Sequence, residues 1–144
     1  MPELPEVETV RKGLEKLTKN FYIVKTNVLK ERSIASIGGS KNFIKNIENS
    51  YLFHWQRRGK YLIGSLKSKN KNNKGFLVVH LRMTGQFKLI DRKEIPCAHT
   101  RVRFFGKGDK ELRFIDIRNF GQMWYVPSTK SVPEIVSGIK KLGP

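Results

Sequence analysis

Cysteine, acidic residues and long apolar runs are all scarce in this sequence, and each shortage excludes a class of protein. The single cysteine, Cys97, cannot form an internal disulfide and cannot by itself supply a cysteine-based zinc site, so we assign it no role. No apolar run approaches the ~20 residues that a membrane-spanning helix needs. The opening MPELPEVET lacks the basic and apolar regions of a secretion signal, which predicts a cytoplasmic protein.

The shortage of acids leaves the chain strongly basic. Its 144 residues include 29 Lys and Arg against 12 Asp and Glu, a net charge of +17. Such an excess indicates a polyanionic partner, either a nucleic acid or an anionic membrane surface. The membrane is the weaker alternative, because the only strongly amphipathic helix in the pattern begins with acids. We therefore expect a nucleic-acid partner and no membrane association.

The best-marked element is a helix near the N-terminus, with Pro5 in its first turn. Four apolar residues recur at helical spacing: Val7, Val10, Leu14 and Leu17. On a helical wheel Glu6 borders this apolar stripe, whereas Glu8 points away from it. We therefore expect Glu6 to be partly enclosed and Glu8 to be solvated.

The rest of the chain consists mainly of short β-forming runs separated by Gly, Asn, Asp or Pro. The predicted strands are Phe21–Leu29, Tyr51–Arg57, Lys60–Leu66, Gly75–Leu81, Gln86–Ile90, Arg101–Phe105, Glu111–Ile115 and Gln122–Val126. Helices are predicted over Lys41–Glu48, with Ser40 as the cap, and over Pro133–Leu142. Strands without alternating helices favour an antiparallel sandwich or barrel. The polar run Lys67–Lys74 is interpreted as a mobile, solvated hairpin loop and not as a DNA clamp.

Position 2 offers an unusual reactive group. Removal of Met1 would expose the secondary amine of Pro2, and an α-amino pKa near ~8 leaves a usable neutral fraction at pH 7. Attack of this amine on a sugar C1′ would give a cationic iminium, and Glu3 could protonate the ring oxygen as a base departs. The alternative is that Pro2 and Pro5 only stiffen the N-terminus, and composition alone favours that alternative.

Four sequence motifs favour the catalytic interpretation of Pro2 over the structural one. The sequence resembles the formamidopyrimidine-DNA glycosylases through MPELPEVET at Met1–Thr9, QRRGKYL at Gln56–Leu62, HLRMTG at His80–Gly85 and DIRNFG at Asp116–Gly121, in that family's order. The sister family, endonuclease VIII, typically has Gly where this sequence has Leu4. This difference disfavours that family and its preference for oxidised pyrimidines.

The resemblance implies a mainly β fold with flanking helices: a two-sheet antiparallel β-sandwich with an N-terminal helix that carries the catalytic proline. Residues 1–144 would form the N-terminal catalytic domain. The family's helix–two-turn–helix domain and zinc finger, with its one zinc ion, would lie outside this chain, which itself would need no cofactor.

The implied function is base-excision repair in the bacterial cytoplasm. A monomer would remove 8-oxoguanine and formamidopyrimidines from double-stranded DNA and then cleave the abasic site by β/δ-elimination. Without the second domain, we expect these 144 residues to bind DNA weakly and to excise little. The alternatives are an endonuclease VIII-like glycosylase and a basic nucleic-acid-binding module without chemistry.

The resemblance also assigns four catalytic residues. Pro2 would be the Schiff-base nucleophile and Glu3 the proton donor of the glycosylase step. Glu6 would help to organise the amine and its local water, and Lys60 would act in β-elimination. A solvated strand lysine is the alternative for Lys60, but the QRRGKYL context favours a function.

Four further residues would contact DNA. His99 occupies the position of a DNA-contacting histidine, although Ala98 replaces the more usual lysine beside it. Met83, Arg118 and Phe120 would fill the space left by a flipped nucleotide, with Arg118 bonding to the orphaned partner base. The alternative places Met83 and Phe120 in the core and Arg118 on the surface.

Overall fold

The computed structural model describes residues 4–91 and 93–142, in which four α-helices flank nine strands. The helices are α1 (Leu4–Leu17), α2 (Gly39–Ile47), α3 (Val132–Ile135) and α4 (Ser137–Lys140). In α1, Pro5 lies in the first turn, and Val7 and Leu14 are buried, as predicted. Leu17, the last member of the predicted apolar stripe, is instead 45% exposed.

The strands form two antiparallel sheets, which confirms the predicted sandwich. They are β1 (Phe21–Ile23), β2 (Lys25–Val28), β3 (Ser50–Arg58), β4 (Tyr61–Lys67), β5 (Asn73–His80), β6 (Gly85–Asp91), β7 (Thr100–Phe105), β8 (Lys110–Asp116) and β9 (Gln122–Val126). The five-stranded sheet has the order β1-β3-β4-β5-β9 and the four-stranded sheet the order β2-β7-β8-β6.

The main core lies between the sheets and includes Trp55, Phe104 and Phe114, all fully buried. Successive side chains of a strand point to opposite faces of its sheet. In β4, Leu62 therefore enters the main core, whereas Ile63 enters a second cluster with residues of α4 and the segment before it. Both faces of the five-stranded sheet are thus covered along β4.

Beyond shifts of a few residues at the ends of strands, three predicted elements differ from the observed ones. The predicted strand Phe21–Leu29 is divided at Val24, because β1 pairs with β3 in one sheet and β2 with β7 in the other. The predicted helix Pro133–Leu142 is two short helices separated by Val136, whose backbone is extended.

The third difference concerns the start of α2. Its N-cap is Gly38, with a positive φ of 88°, and not Ser40. The backbone N–H of Ser40 instead donates to the Glu31 carboxylate at 2.9 Å. An acid distant in sequence thus satisfies an orphan N–H of the first turn, a contact that local sequence does not reveal.

The strand register brings four connections to one end of the sandwich, which we call the loop end. It comprises the β3–β4 turn at Gly59–Lys60, residues 81–84, residues 97–99 and residues 117–121. Tyr61 pairs with His80 and His80 with Gln122 in one sheet, and Gly85 pairs with Asp116 in the other. Each of these pairs lies beside one of the connections, so distant motifs converge there.

Candidate functional site

Pro2 and Glu3 lie outside the described residues, whereas contacts to β3 define the position of helix α1, which follows them in sequence. Helix α1 starts at the loop end, since Glu8 in its second turn pairs with Arg57 at 3.3 Å. The Arg57 guanidinium also donates to the Gly59 carbonyl at 3.0 Å, within the β3–β4 turn. Arg57 therefore connects the beginning of α1 to the turn that carries Lys60.

The predicted environments of Glu6 and Glu8 are wrong. Glu6 is exposed, whereas Glu8 is partly enclosed and accepts hydrogen bonds from Arg11 at 2.7 Å and from Arg57. The Arg11 hydrogen bonds lower the pKa of Glu8 to about 2, with a further contribution from Arg57. Arg11 also reaches the Trp55 carbonyl of β3 at 3.2 Å, so the Glu8 side of α1 faces the sheet. The apolar stripe alone does not reveal these polar contacts.

Lys60 lies in the two-residue turn between β3 and β4, and not within a strand as predicted. Gly59 precedes it with a φ of 59°, and glycine at the first central position is typical of a type II′ hairpin turn. Lys60 is partly exposed, and its charge is close enough to His80 to contribute to that residue's pKa. An ammonium group is therefore held at the loop end on a short, constrained connection.

His80 lies buried beneath Lys60 and is neutral at physiological pH. Burial lowers its pKa to about 4, with further contributions from the charges of Arg82 and Lys60. Its Nδ1 accepts a hydrogen bond from the Arg82 backbone N–H at 3.0 Å, and Tyr61 packs edge-on against its ring. Arg82 has a φ of 57°, which is unusual for a long side chain. His80 thus fixes Arg82, the residue that precedes Met83 in its loop.

The side chains predicted to enter DNA lie on the exposed connections of the loop end. Met83 is 46% exposed and Phe120 is 37% exposed, so the alternative that places them in the core is wrong. Arg118 is exposed, and its guanidinium carbon lies 5.7 Å from the centre of the Phe120 ring. Arg32, which sequence reasoning missed, lies 5.0 Å from the same ring. An aromatic ring accompanied by two cations and an exposed methionine thus lie on connections at the same end of the sandwich.

A buried carboxylate connects the two loops. Asp116 is fully buried, accepts a hydrogen bond from the Thr84 hydroxyl, and accepts another from the Gly121 N–H at 2.7 Å. The Thr84 oxygen in turn accepts the Arg118 backbone N–H at 3.0 Å. Asp116 and Thr84 belong to the DIRNFG and HLRMTG motifs, but sequence reasoning gave them no role. Their positions within these two motifs are the sequence feature that could have identified them.

Further backbone contacts position the remaining residues of this end. The buried Arg101 donates to the Asp116 carbonyl at 2.8 Å and to the Ile117 carbonyl at 3.3 Å. The carbonyl of the exposed His99 accepts the Asp116 N–H at 2.9 Å, which ties the segment before β7 to β8. Asn119 adopts a φ of 56°, a conformation that asparagine tolerates well.

The described residues contain neither a candidate metal site nor a membrane-spanning helix. Among residues 4–91 and 93–142, no three His, Cys, Asp or Glu side chains are grouped as metal ligands would be, and Cys97 is exposed. No helix in the same residues is long and apolar enough to cross a bilayer.

Exposed apolar side chains at the same end as a basic turn are typical of one class of protein, the proteins that insert side chains into a nucleic-acid duplex. Comparison with known proteins identifies the family within this class. Residues 1–123 match the family model described as the formamidopyrimidine-DNA glycosylase N-terminal domain, and the chain belongs to this family.

Individual relatives agree with this assignment. The chain is 74% identical over its whole length to a formamidopyrimidine-DNA glycosylase of Prochlorococcus marinus strain NATL1A, and 58% identical to that of strain MIT 9211. It spans about half of each, 51% and 52%. A crystal structure of Lactococcus lactis Fpg with DNA containing an abasic site has a TM-score of 0.81 at 28% identity, covering 92% of this chain and 47% of that one.

Proposed function

We propose that this chain is the catalytic half of a DNA glycosylase that excises oxidised purines and cleaves the resulting abasic site. The observation that carries the proposal is the convergence at the loop end of Lys60, Met83, Arg118 and Phe120, with Asp116 joining two of their loops. Family membership supports it. The chain's duplex DNA partner has support in the lactococcal structure, which contains DNA.

The proposed chemistry begins at Pro2. With Met1 removed, its neutral secondary amine attacks C1′ of the damaged nucleotide, and the C1′–N bond to the base breaks. The amine proton leaves with the base, Glu3 donates a proton to the ring oxygen O4′, and the C1′–O4′ bond breaks, so that the opened sugar is held on Pro2 as an iminium. The iminium that forms is an electron sink, so the C2′ proton becomes acidic and the 3′ phosphate leaves by β-elimination. Lys60 would assist this step from the β3–β4 turn, and Glu6 would organise the amine and its water.

The connections of the loop end supply the second requirement of excision, which is to keep the damaged nucleotide outside the duplex. Extrusion of a base loses stacking and pairing worth a few kcal/mol, and an inserted wedge recovers part of it. Met83 and Phe120 are apolar and exposed, which suits them to fill the vacated space. Arg118 would bond to the orphaned base, and His99 would contact the backbone.

We further propose residues 1–144 as one catalytic domain that acts with a second, DNA-clamping domain. A zinc finger of the family type would lie in that second part, since this chain offers Cys97 alone. The protein would act as a monomer on the bacterial chromosome in the cytoplasm.

Lesion preference needs a direct test, because Lactococcus lactis Fpg has been solved with DNA containing Fapy-dG and with DNA containing an oxidised pyrimidine. The chain would be assayed alone and joined to the second half of the 74% identical relative. Duplexes would carry one 8-oxoguanine or one oxidised pyrimidine. We expect the joined protein to cleave the 8-oxoguanine strand faster, and the chain alone to do so little. Equal or preferred cleavage at the pyrimidine would overturn the purine assignment. Binding without any cleavage by the joined protein would favour the non-catalytic module.

A further inference from the structure

The opposite end of the five-stranded sheet carries a second basic surface that the proposed excision chemistry does not use. A cavity of about 490 Å³ opens there, beside the start of β3 and the end of β4. Strand β4 separates it from the Lys60 turn by about 20 Å, at ~3.3 Å per residue. Its volume is within the range of ligand-binding clefts. We call it the distal cavity.

Positive charge and aromatic rings dominate its lining. Among the described residues that form the wall there is no acid, and there are four lysines: Lys67, Lys69, Lys71 and Lys107. Tyr51 and Phe53 lie in the same wall, and Phe53 is 48% exposed. A cavity of this composition attracts anions and offers flat apolar surfaces.

Local strand irregularities shape this surface. The β3–β4 register shifts between Leu52 and His54, which leaves Phe53 in a bulge, and the β4–β5 register shifts at Lys67. Bulges redirect side chains and often occur beside functional sites. The result here places the Lys67 ammonium 4.0 Å from the centre of the Phe53 ring.

The neighbouring β4–β5 turn, which lies within the hairpin loop predicted for Lys67–Lys74, is closed by its own hydrogen bonds. Ser68 and Asn72 exchange backbone and side-chain hydrogen bonds at 2.9 and 3.1 Å across the turn. Lys69 reaches towards Tyr22 at 5.5 Å, and Lys107 lies 5.0 Å from the same ring. Lysines from two separate hairpins therefore converge on one group of aromatic rings.

We propose that the distal cavity binds single-stranded DNA, with phosphates at the lysines and an unstacked base against Phe53. Binding of this kind combines a basic groove with aromatic stacking and tolerates any base sequence. An acidic peptide would use the lysines but would gain little from the exposed ring. The proposal concerns undamaged DNA and is independent of the excision chemistry.

Photocrosslinking tests the location. The 144-residue chain would be irradiated with an oligo(dT) of about ten nucleotides that contains 5-iodouracil, and the adducts would be mapped by mass spectrometry. We expect adducts at Tyr51 or Phe53. Adducts confined to residues 82–84 and 117–121 would overturn the proposal.

Affinity measurements test the chemistry. Replacing Lys67, Lys69 and Lys107 together by Gln should weaken oligo(dT) binding several-fold more than replacing Lys41, Lys45 and Lys130, which removes the same charge elsewhere. Phe53→Ala should weaken it by roughly tenfold, as loss of one stacked base predicts, without changing the salt dependence. Equal effects of the two triple variants would contradict the proposal. Competition with polyglutamate provides a second test. If polyglutamate displaces the oligonucleotide and binds Phe53→Ala as tightly as the wild type, the partner is an acidic peptide and the proposal is contradicted.

Discussion

At the scale of single residues, the environment of an ionisable side chain decides its behaviour more than its type does. His80 and His99 illustrate this, since one is buried and neutral while the other is exposed at the loop end. Glu6 and Glu8 illustrate it again, because the acid expected to be solvated is the one paired with two arginines. Sequence periodicity cannot reveal which long side chains from other strands reach a given carboxylate.

His80 should make the stability of the protein depend on pH. The unfolded chain takes up a proton near pH 6.5, whereas the folded protein resists protonation until about pH 4. Stability is therefore retained above pH 6.5 and is lost as the pH falls through this window. From pH 7 to pH 5 the free energy of unfolding should decrease by about 2 kcal/mol because of this residue.

Urea denaturation of the wild type and of His80→Asn at both pH values measures this contribution. The variant should lose most of the difference, whereas His99→Asn, at an exposed position, should keep it. An unchanged pH dependence in His80→Asn would show that another group is responsible.

At the scale of elements, the loop end depends on contacts between connections. Three of the four sequence motifs contain connections that converge at the loop end, and alternation predicted most strands, β9 with its observed bounds. The division of β1 from β2 at Val24 was not predictable, because it depends on which sheet each half joins. The link between Thr84 and Asp116 was likewise hidden, since their proximity arises only from the pairing of β6 with β8.

Substitution of the wedge residues should separate base extrusion from strand cleavage. Met83→Ala, Arg118→Ala or Phe120→Ala in the joined protein should slow 8-oxoguanine excision roughly tenfold to a hundredfold, for lost contacts worth about 1–3 kcal/mol. Cleavage at a pre-formed abasic site should change less, because no base remains to be extruded.

Melting temperatures and the exposed control Ile37→Ala complete this experiment. The wedge variants and the control should melt close to the wild type, since all four side chains are exposed. Early melting together with parallel losses of both activities would indicate a structural role instead.

The Asp116–Thr84 link should act on both loops together. Thr84→Val removes a hydroxyl that donates to Asp116 and accepts from Arg118, so excision from duplex should fall while abasic-site cleavage is better preserved. A double-mutant cycle with Asp116→Asn should give a coupling of about 1 kcal/mol or more in the free energy of unfolding. Thr129→Val is the matched exposed control. Additive effects of Thr84→Val and Asp116→Asn would show that the link is not energetically coupled.

At the scale of the whole molecule, the net charge of +17 supplies an attraction to any DNA, on which specific contacts are superimposed. Each phosphate contact contributes about 0.9 to the slope of log affinity against log salt concentration. We propose that the Lys60 ammonium also holds a phosphate, so Lys60→Gln should reduce this slope by about one, whereas Arg118→Gln, a base contact in our proposal, should leave it unchanged. Lys41→Gln removes one positive charge from α2 and is the control for the loss of charge alone. A reduced slope in Arg118→Gln would reassign that arginine to the backbone.

The proposed reaction depends on the amine of Pro2 as its nucleophile. The most direct measurement is borohydride trapping of Met1-free protein on abasic-site DNA, followed by mapping of the adduct by mass spectrometry. We expect a covalent adduct at Pro2, and no trapping when removal of Met1 is prevented. An adduct on a lysine, or trapping that is undiminished when Met1 is retained, would contradict it.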